Sequence, residues 1–224
     1  MKNNFWRKFW GIFLIAALVF TIVPVKLNTK KSETKRTPVI YSCSNGYLTL
    51  DARDSNGNGL KTYCSAKGYE FDSYCDLDLK MSDAAAVFNG LNGKKIDAFI
   101  VNLGIGDYLN SSGIYSNEDN SIYESLAEIV TKGKANNENI KIYIVSNKNY
   151  DLFEEKNTRT YNYKKYHDAI EKFCENNSDV TFINLYDEDN VIEIDKTVDS
   201  SANILKGTFD EQREIIDRII SDIQ

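Results

Sequence analysis

Short apolar runs rich in β-branched and aromatic residues alternate with stretches of helical spacing along most of this 224-residue chain, and that alternation narrows the fold more than any other feature. The runs are TPVIYS (37–42), KTYCSA (61–66), IDAFIVNL (96–103), IKIYIVS (140–146) and DVTFINL (179–185). The central ones are apolar enough to be covered on both faces, as strands of a parallel sheet are. Between them SDAAAVFNGL, SIYESLAEIVTKGK and YNYKKYHDAIEKFCENN carry helical spacing. EQREIIDRIISDI follows with Ile215, Ile216, Ile219, Ile220 and Ile223 on one stripe. Such alternation predicts a single α/β domain of three α/β/α layers around a five-stranded parallel sheet, the strand from Val39 internal and the strand ending near Leu185 at an edge. No internal repeat or second domain interrupts the pattern. Ligands of such sheets bind beyond the carboxyl ends of the strands, so the residues found there carry the functional information.

Ahead of the domain, FWGIFLIAALVFTIVPV (9–25, from Phe9 to Val25) is uncharged, almost wholly apolar and close to the shortest helix that spans a bilayer. Lys2, Arg7 and Lys8 precede it, Trp6 and Trp10 suit the interface, and no small-x-small cleavage site follows Pro24 convincingly. An uncleaved single-pass transmembrane helix is the first reading and a removed signal peptide the second. Lys26, Lys30, Lys31, Lys35 and Arg36 rival the earlier charges, so charge counting leaves the topology open. LNTKKSETKRT has no apolar periodicity and reads as a solvated tether. The organisation expected is a basic flank (1–8), an anchor (9–25), a tether (26–37) and a domain (38–224). A net charge of −6 supplies no global basic field for phosphates, so no nucleic acid partner is expected. The four cysteines, Cys43, Cys64, Cys75 and Cys174, come without CxxC or paired histidines and match no zinc pattern. They read as buried thiols, with a Cys43–Cys64 or Cys64–Cys75 disulfide as the alternative.

Four stretches stand where strands of this sheet would end: SCSNG (42–46), AKGYEF (66–71), GIGDYLN (104–110) and DSSAN (199–203). In order and spacing they resemble the SGNH/GDSL hydrolase family, from Val39 to the end of the chain, and the resemblance implies a flavodoxin-like sheet. The family's first block, Gly-Asp-Ser after strand one, places Ser44 on the nucleophile position, with Ser42 and Cys43 in place of Gly and Asp. The oxyanion-hole Gly after strand two is matched by Gly68. The third block, Gly-x-Asn-Asp, keeps Gly104 and Asp107 but has Gly106 where the Asn amide would complete the oxyanion hole. The last block, Asp-x-x-His, keeps Asp199 and has Ala202 in place of the general base. A rival register using Asp54-Ser55 leaves no room for a crossover helix before KTYCSA.

A serine hydroxyl needs a base within hydrogen-bond reach, and Ala202 cannot serve. The one histidine, His167, lies amid Lys164, Lys165 and Asp168 and reads as a helix-surface or helix-flank residue. Asp199 is a weak base near neutral pH. Loss of one oxyanion donor alone costs roughly a hundredfold to a thousandfold in rate. The resemblance therefore implies a membrane-tethered SGNH-like domain, facing outward from the cell membrane, that lacks ordinary catalysis and binds or scaffolds, with surface polysaccharide as the ligand class. An active serine esterase or acyl hydrolase on cell-surface polysaccharide or lipid, using Ser44, is the alternative. No cofactor and no metal is expected. DSNGNG (54–59) opens like a calcium loop but has Ser65 where a bidentate Glu belongs, so it reads as a solvated turn. GxG in GIGDY lacks the third glycine of a dinucleotide site. YDEDN (186–190) reads as a solvated loop, and Tyr161, Tyr163 and Tyr166 as core cover rather than a sugar platform. Ser44, Gly68, Gly106, Asp199 and Ala202 are expected to gather at one end of the sheet. Ser44 is expected to be partly exposed there, so that Ser44→Ala costs no more than about 1 kcal/mol.

Overall fold

All but one of the apolar runs become strands. The computed structural model describes residues 36–45, 48, 53–110, 120–150, 163–187, 189–190, 192 and 207–224, and the elements below form one unit over Thr37–Gln224. In chain order they are β1 (Val39–Ser44), α1 (Leu60–Ala66), β2 (Glu70–Cys75), α2 (Met81–Ala84, continued by a 3-10 turn Ala85–Gly90), β3 (Ala98–Asn102), α3 (Ile105–Asn110), α4 (Asn120–Asn136), β4 (Lys141–Val145), α5 (Tyr163–Glu175), β5 (Val180–Ile183) and α6 (Phe209–Ile223). The five strands are parallel in the order β2-β1-β3-β4-β5, which puts β1 inside and β5 at an edge, as expected.

KTYCSA is the exception. It belongs to α1, where the buried residues Leu60 and Cys64 are four apart and share a face, a helical period rather than a strand period. The second strand is EFDSYC, in which Phe71 alone is fully buried. An edge strand needs little apolar surface, so an apolar criterion passes over it. The interior strands alternate with period two between the two faces of the sheet. Phe99, Val101, Ile142 and Ile144 pack with Leu126, Ile129, Tyr166 and Ile170 from α4 and α5. Ala98, Ile100, Tyr143 and Val145 pack with Leu60 and Cys64 of α1 and Ile215, Ile216, Ile219 and Ile220 of α6. Each fully buried Ile or Phe here contributes about 1.5–3 kcal/mol of apolar transfer.

α6 starts at a capping box in which the Thr208 hydroxyl accepts from the Glu211 amide and the Glu211 carboxylate accepts from the Thr208 amide. Lys148, just past β4, donates to the same carboxylate and pins this helix start to the carboxyl edge of the sheet. All four cysteines are free thiols, so neither disulfide alternative is formed; Cys43, Cys64 and Cys174 are buried and Cys75 is exposed. Among the described residues no helix is long and apolar enough to cross a membrane, and the run 9–25 lies outside them.

Candidate functional site

The register aligns Ser44, the last residue of β1, with Cys75 on one side and Asn102 on the other, so three strands end together. Ser44 is fully buried. Its Oγ donates to Asn102 Oδ1 at 3.2 Å and accepts from the Leu48 amide at 3.2 Å. Neither of these partners takes up a proton at neutral pH. The expectation of a partly exposed hydroxyl is therefore corrected: Ser44 is covered, and the Leu48 amide beyond the strand end reaches back to its hydroxyl. The neighbouring Cys43 is also buried, and desolvation, followed by the negative field of Asp83, pushes its thiol up to about 12.

Asn45 holds the corner together. Its Nδ2 donates to the carbonyls of Asp76, Leu77 and Leu79 at 3.0, 3.0 and 2.8 Å, and its Oδ1 accepts from the Ile105 amide at 3.2 Å. One carboxamide thus ties the end of β1 to the β2–α2 loop and to the start of α3. Asn102 continues the network: its Nδ2 donates to the Val145 and Ser146 carbonyls and to Asn147 Oδ1. Asn147 in turn donates from Nδ2 to the Leu103 carbonyl and from its amide to the Tyr163 hydroxyl, whose own proton loss is pushed upward chiefly by burial.

The third block is structural throughout. Gly104 sits at φ +125°, and a Cβ there would stand 2.6 Å from the Tyr166 ring, so glycine is required on both counts. At Gly106 a Cβ would overlap the Leu79 carbonyl oxygen and lie 2.7 Å from that of Asp78. The β2–α2 loop therefore fills the place from which an Asn side chain would extend. Asp107 Oδ2 accepts from the Met81 amide at 2.9 Å and from the Tyr166 hydroxyl at 3.1 Å, which staples α3 to α2 and α5. Three backbone amides described at this edge are similarly engaged. That of Asp76 donates to the Ser44 carbonyl, that of Asn45 to the Asn102 carbonyl, and that of Leu79 to the Asp76 carbonyl. An oxyanion hole needs amides aimed at open space, and these point into the protein.

Gly68 is displaced from its expected place. It lies between α1 and β2, whose first residue Glu70 pairs with Val39, so it sits at the amino edge of the sheet, opposite Ser44. The error follows from reading α1 as the second strand. The residues that do follow β2 are Asp76, Leu77, Asp78 and Leu79, with no glycine among them. Asp199 and Ala202 lie outside the described residues, as do Gly46 and Tyr161. Tyr163 and Tyr166 are buried in the core, as expected. Asp54 caps an exposed turn, its Oδ1 accepting from the Asn56 and Asn58 amides. His167 is not on the surface: it is 4% exposed, packed 4.8 Å from the Tyr186 ring, with Nε2 3.1 Å from Asn184 Oδ1. The residues missed at sequence level are Asn45, Asn102, Asn147 and Asn184. Each stands at or within two residues of the carboxyl end of a strand, a recurrence visible in SCSNG, IVNLG, IVSNK and FINLY.

No protein-family model and no curated relative matches the sequence. Solved structures do match in fold. A carbohydrate esterase family 3 enzyme from Talaromyces cellulolyticus superposes with a TM-score of 0.52 at 14% identity, covering 84% of this chain and 98% of that one. A salicylyl-acyltransferase from a tetracycline biosynthetic pathway gives 0.53 at 10% identity over 82% of this chain and 52% of its own. A carbohydrate esterase family 2 enzyme with a carbohydrate binding domain, from Corynascus thermopiles (Myceliophthora fergusii), gives 0.51 at 11% identity over 84% and 66%. A GDSL-like lipase candidate from Bacteroides ovatus gives 0.50 at 14% identity over 83% and 53%. This chain thus spans between half and two thirds of the length of three of these four. Taken with the β2-β1-β3-β4-β5 parallel sheet and the Gly104 to Asp107 turn after β3, these likenesses identify the domain's fold as that of the SGNH/GDSL hydrolases.

Proposed function

We propose that this domain keeps the SGNH/GDSL hydrolase fold without its ordinary catalysis and works as a membrane-tethered binding or scaffolding module. The observation that carries the reading is the burial of Ser44 with its hydroxyl held between Asn102 and Leu48. A nucleophile must meet its substrate and pass its proton to a base, and a fully covered hydroxyl does neither without the corner opening. Two further features support it. The loop backbone fills the place of the oxyanion Asn beside Gly106, and the amides of Asn45, Asp76 and Leu79 are spent inside the protein. Ala202 in place of the His points the same way.

The ligand class rests on the fold. Two of the matched structures are carbohydrate esterases, which makes a surface polysaccharide the first candidate. The run from Phe9 to Val25 is the membrane anchor and 26–37 the tether in this reading, with the domain outside the cell. A fluorophosphonate probe should leave Ser44 unlabelled, and short acyl esters should not be turned over. Robust turnover abolished by Ser44→Ala would hand the case to the active esterase. Protease added to intact cells should remove the domain, and survival of the full-length chain until lysis would refute the outward topology.

A further inference from the structure

The chain's one histidine is buried in a hydrogen-bond chain that sets which of its nitrogens carries the proton. The backbone amides of Leu185 and Tyr186 donate to Ser146 Oγ at 2.6 and 3.1 Å, so the Ser146 hydroxyl is left to donate its own hydrogen to Asn184 Oδ1 at 3.1 Å. The Tyr186 amide also donates to Asn184 Oδ1 at 2.9 Å, which fixes that atom as the carbonyl oxygen. His167 Nε2, 3.1 Å from the same oxygen, must therefore be the protonated nitrogen. In the neutral ring the lone pair is then on Nδ1, and Nδ1 faces Asp168 Oδ1 at 3.4 Å. An imidazole lone pair aimed at a carboxylate oxygen repels it unless a positive charge lies between them. Glu171, one helical turn on, adds a second carboxylate, and ligand atoms of His167, Asp168 and Glu171 all lie within 4.8 Å of one another.

We infer that His167 Nδ1, Asp168 and Glu171 form a binding site for one first-row divalent cation of the Zn²⁺ type on α5, with Asn184 as the residue that orients the imidazole. One imidazole nitrogen and two carboxylate oxygens suit such an ion better than Ca²⁺ or Mg²⁺, which take all-oxygen shells. A metal-bound histidine that donates its other N–H to a carbonyl oxygen has the arrangement seen around established sites. Lys164, which holds both Asp168 oxygens at 3.0 and 2.9 Å, is the internal competitor and must swing away when the ion binds. The site does not depend on whether Ser44 reacts.

Because His167 is the only histidine, its ring gives a single set of imidazole resonances. The full chain, without a polyhistidine tag and with Cys75→Ser to remove the exposed thiol, is titrated with Zn²⁺ by calorimetry and by ¹⁵N-histidine NMR. Saturable one-to-one binding with a shift at Nδ1 is expected. His167→Gln should abolish it, Glu171→Gln should weaken it at least tenfold, and Asn184→Ala should weaken it about tenfold to a hundredfold. Should His167→Gln fail to fold, Glu171→Gln, on a half-buried helix position, decides alone. No shift of the imidazole signals at millimolar Zn²⁺, an imidazolium with both nitrogens protonated throughout the titration, or equal affinity in Glu171→Gln would each overturn the site.

Discussion

The β1–β3 corner and the β4–β5 corner lie on one edge of one sheet and use the same residue types, yet the first is closed and the second is open. At β1–β3, Asn45 and Asn102 spend their carboxamides on carbonyls, an amide and a serine of neighbouring strand ends and loops. At β4–β5, Asn184 spends its oxygen on fixing an imidazole whose other nitrogen faces a carboxylate. A strand-end asparagine can thus either lock a corner or present a ligand. What decides is whether the groups around it saturate its hydrogen bonds or leave a lone pair pointing at like charge. The closed corner should be brittle and the open one tolerant.

The largest effect is expected at Asn45. Asn45→Leu strands three carbonyls and an amide at a buried corner, so urea unfolding should show a loss of about 3–5 kcal/mol. A loss under about 1 kcal/mol would mean that the corner is not what joins the three loops. Next comes Gly106→Asn, which restores the family's residue. The added side chain meets loop backbone rather than a movable side-chain tip, so a cost of about 2–3 kcal/mol and no gain of ester hydrolysis are expected. A stable Gly106→Asn protein with esterase activity would show instead that the site is one residue short of working. Ser44→Ala removes a buried hydroxyl and leaves Asn102 Oδ1 and the Leu48 amide short of a partner, a loss of about 1–2 kcal/mol in thermal or chemical denaturation. That exceeds what an exposed serine would contribute. Smallest is Glu171→Gln at the open corner, expected to leave stability within about 0.5 kcal/mol while weakening Zn²⁺ binding. Matching losses at Glu171 and Asn45 would erase the contrast between the corners.

Much of the architecture was legible along the chain. IDAFIVNL, IKIYIVS and DVTFINL are apolar on both alternating faces, which a parallel strand between two helical layers requires, and the Ile stripe of α6 shows the period of a helix packed on one side. Gly104 and Asp107 stood out through the family's third block, but what they do, clearing the Tyr166 ring and joining α3 to α2 and α5, involves residues far along the chain. EFDSYC was not, since an edge strand with one buried face position carries too little apolar signal, and with it went the placement of Gly68.

The burial of Ser44 and the tautomer of His167 were beyond any reading of residue order. The first depends on Leu48 and Asn102 reaching the same hydroxyl from a loop and from a strand fifty-eight residues away. The second depends on a chain of donors running from the backbone of 185–186 through Ser146 and Asn184 to a ring on another element. Periodicity reports what each segment buries, because burial is a property of a face that recurs along the chain. Hydrogen bonds between strand ends join atoms far apart in sequence. Whether a serine is covered or a histidine nitrogen carries its proton is settled when the sheet brings those ends within 3 Å or so of each other.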